Sequence, residues 1–243
     1  MNKNNHLKGE KMNQFNNNTR VINSLSPELV LRANKVLKNT YLLLSMTLLF
    51  SAFTAYVAFV QASNGSGAML SPIILIIAYI GLLFGINKTK NSPWGIVLTF
   101  ALTGLLGYSL GPILNMYIKQ FTNGAELIMM AFGTTGLIFL GLSAIAMSPA
   151  RNFNRVGSFC AVGAIVAIVA MVLNIFLQIP ALGFVISLVF AFISGGFILW
   201  QTNAIVRGEE TNYILATVNI YVSLFNIFVT LLQIFGAVAG NRD

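Results

Sequence analysis

After residue 40 the chain alternates between long apolar runs and short polar breaks. Seven such runs occur, near Tyr41–Val60, Met69–Ile86, Trp94–Ile118, Ala125–Met147, Gly157–Gln178, Ala181–Gln201 and Tyr213–Ala237. Each is close to the roughly 20 residues that, wound as a helix, cross about 30 Å of hydrocarbon. The break between the fifth and sixth runs is little more than Ile179-Pro180-Ala181. The two runs together are too long for one crossing, so an antiparallel hairpin is expected there. Short connections make successive helices neighbours in space. The predicted fold is therefore an all-α membrane protein, with seven transmembrane helices in one bundle.

Within the runs, small and polar residues fall at helical spacing. The third run carries Gly104, Gly107 and Gly111, followed by Pro112. Glycines at steps of three and four make a smooth face for close helix contact. Gly111 and Pro112 are expected to kink or break that helix, because proline removes a backbone donor and clashes with the preceding turn. Such a kink serves packing or a hinge. The sixth run carries Ser187, Ser194 and Gln201 at steps of seven. The seventh carries Asn212, Ala216, Asn219, Ser223, Asn226, Thr230 and Gln233 at alternating steps of four and three. That rhythm keeps one face turned to the same neighbours along a supercoiled bundle. Amides facing lipid would be costly. The stripe is thus expected to face other helices, as packing glue, or a narrow polar path.

Residues 1–38 are a different segment. The first 20 residues are rich in Asn and Lys and have too few apolar side chains to bury a core, so disorder is expected. The polar stretch before the first run is too long for a signal peptide. Ser26, Pro27 and Glu28 read as a helix start, opening a short amphipathic helix into the membrane. The expected division is a cytoplasmic tail, 1–38, and a transmembrane domain, 39–243.

Composition agrees: 56% of the 243 residues are hydrophobic and 8% charged, whereas soluble domains carry roughly 25% charged residues. The net charge of +8 has no basic-aromatic patch beside it, so no nucleic-acid partner is expected. It reads instead as an orientation signal. With the N-terminus inside, the cytoplasmic side holds Lys3, Lys8, Lys11, Arg20, Arg32, Lys35, Lys38, Lys88, Lys90, Arg151, Arg155 and Arg207. The outer side holds only Lys119 and Arg242. Seven crossings then put the C-terminus outside.

Catalytic chemistry finds little support. His6 lies in the tail, Cys160 is the only cysteine and Asp243 the only aspartate. No disulfide, metal-ligand spacing or cofactor motif is available. No charged residue lies mid-span; Glu126, Glu209 and Glu210 fall at helix ends, where water can solvate them. The serine of Gly141–Ile145 has no intramembrane base. A non-enzymatic protein is expected.

Four stretches, TYLLLSMTLLFSA (Thr40–Ala52), GYSLGPILNMY (Gly107–Tyr117), NIFLQIPAL (Asn174–Leu182) and GEETNYILATVNIYVSLFNIFVTLLQIFG (Gly208–Gly236), resemble the YccA branch of the Bax-inhibitor family. The resemblance runs from about Lys35 to Gly236. It implies a seven-helix fold whose last helix is surrounded by the other six. It also implies a bacterial inner-membrane location, with a cytoplasmic N-terminus and a periplasmic C-terminus. The branch is known for substrates and modulators of the membrane AAA+ protease FtsH, which makes the FtsH complex the expected partner, reached through the cytoplasmic tail. Other branches are described as pH-sensitive calcium leaks gated by two aspartates. By similarity of the surrounding residues, those positions fall here at Gln201 and Ser223. Neither titrates near neutral pH, so the family's carboxylate switch is absent; a neutral path stays open.

Overall fold

The structure, a computed structural model, describes residues 27–65 and 71–240. The tail expected to be disordered lies outside the described residues for its first 26 positions. Seven helices follow: α1 Pro27–Ser63, α2 Pro72–Thr89, α3 Pro93–Gln120, α4 Gly124–Ala146, α5 Asn154–Leu177, α6 Pro180–Val206 and α7 Tyr213–Gly240. All seven are long and apolar enough to cross a membrane. The fold is all-helical among the described residues, as the apolar runs predict.

Proline sets three of the helix starts. Pro72, Pro93 and Pro180 stand at the first turn, where a missing N–H is no loss. Ser92 adds a side-chain acceptor for the Trp94 amide. The α5–α6 hairpin turns on Gln178, the only non-glycine residue with positive φ among those described. Asn174 steadies the turn: its carbonyl accepts the Gln178 amide and its side-chain oxygen the Ile179 amide.

α1 differs from the reading in one respect. The amphipathic segment and the first span are one continuous helix of 37 residues. At 1.5 Å per residue it is about 55 Å long, well beyond the hydrocarbon thickness.

α1 packs most extensively on α3. Gly104 of α3 lies against Phe50, Gly107 against Ser51 and Thr54, and Gly111 against Ala58 and Phe59. A Cβ at Gly107 or Gly111 would overlap the α1 backbone itself. The glycine face therefore lets two backbones meet. α3 runs unbroken through Gly111 and Pro112; of the two expected effects, a break does not occur.

α7 lies against α1, α3, α4 and α6, while α2 rests mainly on α3 and α5 on α6. α2 reaches α7 through Ile86, which clusters with Ile214 and Val218. A second cluster, Leu44, Ile198, Ile220, Tyr221, Leu224 and Ile227, joins α1, α6 and α7. Polarity is turned inside out. Thr40, Thr99, Thr103, Gln201, Thr202, Asn203 and Thr217 are buried, whereas Phe159, Phe176 and Phe192 are at least 74% exposed. In lipid, polar groups associate helices and apolar side chains face the tails.

Candidate functional site: the two sides of α7

The stripe of α7 meets α6 in three rungs. Asn219 Nδ2 donates to Gln201 Oε1 at 3.0 Å. Asn226 Nδ2 donates to Ser194 Oγ at 3.2 Å. Thr230 Oγ1 donates to the Ser187 carbonyl at 2.9 Å. The helices run antiparallel, so the seven-residue steps of α6 meet the fours and threes of α7. Ser223 is buried but bonds to its own helix, donating to the Asn219 carbonyl at 2.8 Å. Gln201 is 1% exposed, while Asn219 opposite it is exposed and Asn226 half-buried. Gln201 and Ser223 thus both bond to Asn219, one through its side chain and one through its carbonyl.

Asn212 does a different task. Its Oδ1 accepts the amides of Ile214 and Leu215, each at 3.0 Å, capping the start of α7. Its Nδ2 donates to the Lys90 carbonyl and to Asn91 Oδ1. It ties α7 to the α2–α3 connection.

The opposite side of α7 carries bonds that sequence reasoning missed. Tyr221 Oη donates to the Thr103 carbonyl at 3.2 Å and lies 2.6 Å from Ser51 Oγ. One hydroxyl therefore joins α7, α3 and α1. Thr217 Oγ1 reaches the Thr40 carbonyl of α1 at 3.2 Å and the Tyr213 carbonyl of its own helix at 2.7 Å. The signal was faint: a tyrosine within an apolar run reads as bulk, and threonines are common in helices.

The loops at the basic end of the bundle, where Lys88, Lys90, Arg151, Arg155 and Arg207 gather, are also knitted. Asn203 Nδ2 donates to the carbonyls of Ala146 and Ser148. Its Oδ1 accepts the Phe153 amide. Arg207 Nε bonds Glu209 Oε1 at 2.7 Å, and Asn154 Nδ2 bonds Glu209 Oε2 at 3.0 Å. The bond from Arg207 holds the Glu209 carboxyl below the usual carboxylate range, against the opposing effect of burial. Glu210 accepts the Asn212 amide. Both acids, expected to be merely solvated, have assigned partners. Beside these loops a cavity of about 110 Å³ is lined by Leu29, Val30, Ala33, Asn34 and Leu37 of α1 with Pro149, Val206, Arg207 and Gly208.

Every side chain in the rungs is neutral. Among the described residues no group of three or more His, Cys, Asp or Glu side chains is placed to hold a metal. The arrangement holds helices together through amides and hydroxyls.

Seven membrane-length helices with a neutral hydrogen-bonded interior define a multi-pass helical membrane protein. The chain belongs to the Bax-inhibitor family: a family model described as inhibitor of apoptosis-promoting Bax1 matches residues 33–240. It is 47% identical over 207 residues to the modulator of FtsH protease YccA of Escherichia coli K12, covering 85% of this chain and 92% of that protein. It is 44% identical over 220 residues to an uncharacterized membrane protein of Vibrio cholerae, covering 89% and 95%. An uncharacterized protein of Pseudomonas aeruginosa is 44% identical over 210 residues, covering 85% and 90%.

Proposed function

We propose that this protein is a multi-pass inner-membrane protein that binds and restrains the membrane AAA+ protease FtsH. The observation that carries this reading is the 47% identity to a protein named as a modulator of that protease, over 85% of this chain and 92% of that one. The N-terminus lies in the cytoplasm and the C-terminus in the periplasm, on the count of lysines and arginines. The protease grips the polar N-terminal tail. Traction on the tail then falls on α1. That helix is supported by the glycine contacts of α3 and by two bonds to α7, the Ser51 hydroxyl with Tyr221 and the Thr40 carbonyl accepting from Thr217. A tail that enters the ring and a helix that resists extraction occupy the protease.

The bundle carries no catalytic step in this reading, and the rungs between α6 and α7 are structural. A calcium leak of the kind described for other branches would need titrating groups where Gln201 and Ser223 stand.

The test is affinity capture of the C-terminally tagged protein from gently solubilised membranes, with and without residues 2–25, alongside turnover of both forms. Tail-dependent capture of FtsH and slowed turnover of the truncated chain are expected. Equal turnover of the two forms would overturn the tail mechanism.

A further inference from the structure

Most buried serine and threonine hydroxyls in this bundle have partners. Thr40, Thr99 and Thr135 donate to the carbonyl one turn back. Two do not. Ser143 Oγ of α4 and Thr202 Oγ1 of α6 are fully buried and bond to nothing in the protein; the same holds for Tyr41 Oη of α1 and Gln201 Nε2 of α6. Ser143, Gln201 and Thr202 are each at most 4% exposed.

The four residues lie toward the basic end of the bundle, each within about one turn of Leu37, Ala146 or Val206. Ser143 stands one turn beyond Phe139, and Thr202 one turn beyond Ile198. Phe139 and Ile198 pack in the same cluster, and Tyr41 packs there with them. The Tyr41 ring meets the Phe139 ring edge-on at 5.9 Å. Asn203, next to Thr202, clamps α6 to the end of α4. The cavity at the basic end begins one turn further out, since its wall includes Leu37, four residues before Tyr41, and Val206, four residues after Thr202.

We propose that the junction of α1, α4 and α6 is a binding site for ordered water, entered from this cavity. Tyr41, Ser143 and Thr202 are its principal ligands. Gln201 carries the hydrated layer towards α7, through the amide it shares with Asn219. An unmet buried hydroxyl is destabilising, and a water bonded to two or more such groups removes that cost. The cavity of about 110 Å³ is large enough to admit water beside the junction. α1 is then joined to α4 and α6 here through water, whereas it is joined to α3 by direct contact.

The sign of one substitution separates the two states of these hydroxyls. If Thr202 bonds water, Thr202→Val removes a partnered group and lowers the apparent Tm in lipid nanodiscs by about 2–4 °C. If the hydroxyl is unpartnered, the same change raises Tm or leaves it alone, and the proposal fails. The second measurement uses the unaltered protein. Brief radiolysis in ¹⁸O-water is expected to label the Tyr41 ring several-fold faster than the Tyr221 ring, whose hydroxyl is held by Ser51 and Thr103. Labelling of Tyr41 no faster than Tyr221 would overturn the site. Neither readout involves a protease, so failure here is distinct from failure of the proposed function.

Discussion

The two sides of α7 do their work with different chemistry. Towards α1 and α3, Tyr221 and Thr217 are buried and donate to main-chain carbonyls. A carbonyl within a helix cannot rotate away, so these bonds fix one helix against another. Towards α6, two of the three rungs join side chain to side chain: Asn219 and Asn226, exposed and half-buried, meet Gln201 and Ser194, and only the buried Thr230 reaches a main-chain carbonyl, that of Ser187. Side-chain partners have rotamers of their own. One side of the helix is therefore set rigidly, and the other is held mostly by bonds that can reform with small adjustment, with Thr230 as its one fixed rung. A stripe that looks most conspicuous in the sequence belongs to the more adjustable side.

Substitutions that deepen this contrast can be ranked. Gly111→Leu forces α3 away from the α1 backbone; overpacking of this kind is expected to destabilise by about 3 kcal/mol, measured as loss of folded protein in detergent unfolding. Tyr221→Phe leaves a buried carbonyl and the Ser51 hydroxyl without their shared partner. It should cost about 1–2 kcal/mol, read by the same unfolding assay. Asn226→Leu on the other side removes one rung and should cost only about 0.6 kcal/mol, the typical size of a side-chain bond between membrane helices. If Asn226→Leu proves more damaging than Tyr221→Phe, the contrast between the sides is reversed. The smallest effect is at the basic end. Glu209 has a lowered folded pKa, so its pairing contributes fully above the ordinary carboxylate range and is lost as pH falls through the folded value. The pair is partly exposed, which limits the loss to below about 0.5 kcal/mol. Glu209→Gln should flatten this acid dependence in a pH series of unfolding curves.

The spans were legible because a length of apolar chain is a direct statement about lipid. The six later runs lie within a few residues of α2 to α7. The rungs were half-legible. The steps of seven in α6 and of four and three in α7 marked two polar faces, but nothing in a linear pattern says that Gln201 belongs opposite Asn219. That follows from the short connection between Val206 and Tyr213, which sets the register of α7 against α6. The glycine face of α3 was legible as a contact surface, while its partner on α1, Ser51 and Ala58, was not. The bonds of Tyr221 and Asn203 were hidden for a different reason. Each depends on a carbonyl, and every residue has one, so the sequence carries no mark of which carbonyl is met. The continuity of α1 through Lys38 was not read because the amphipathic start at Pro27 and the apolar run from Tyr41 were given as separate segments, although Lys and Arg are good helix formers.

That continuity has a mechanical meaning. A helix about 55 Å long, exposed over most of Pro27–Asn34 apart from Ala33 beside the cavity, is a lever. The glycine contacts with α3 are its fulcrum, and the end near Pro27 is its long arm. A sideways load on that arm is felt as an opposite displacement beyond the fulcrum, where Gln61 accepts a bond from Tyr108 at 2.6 Å. Motion imposed on one face of the membrane is therefore carried along one continuous helix to the other, with no break in between to absorb it.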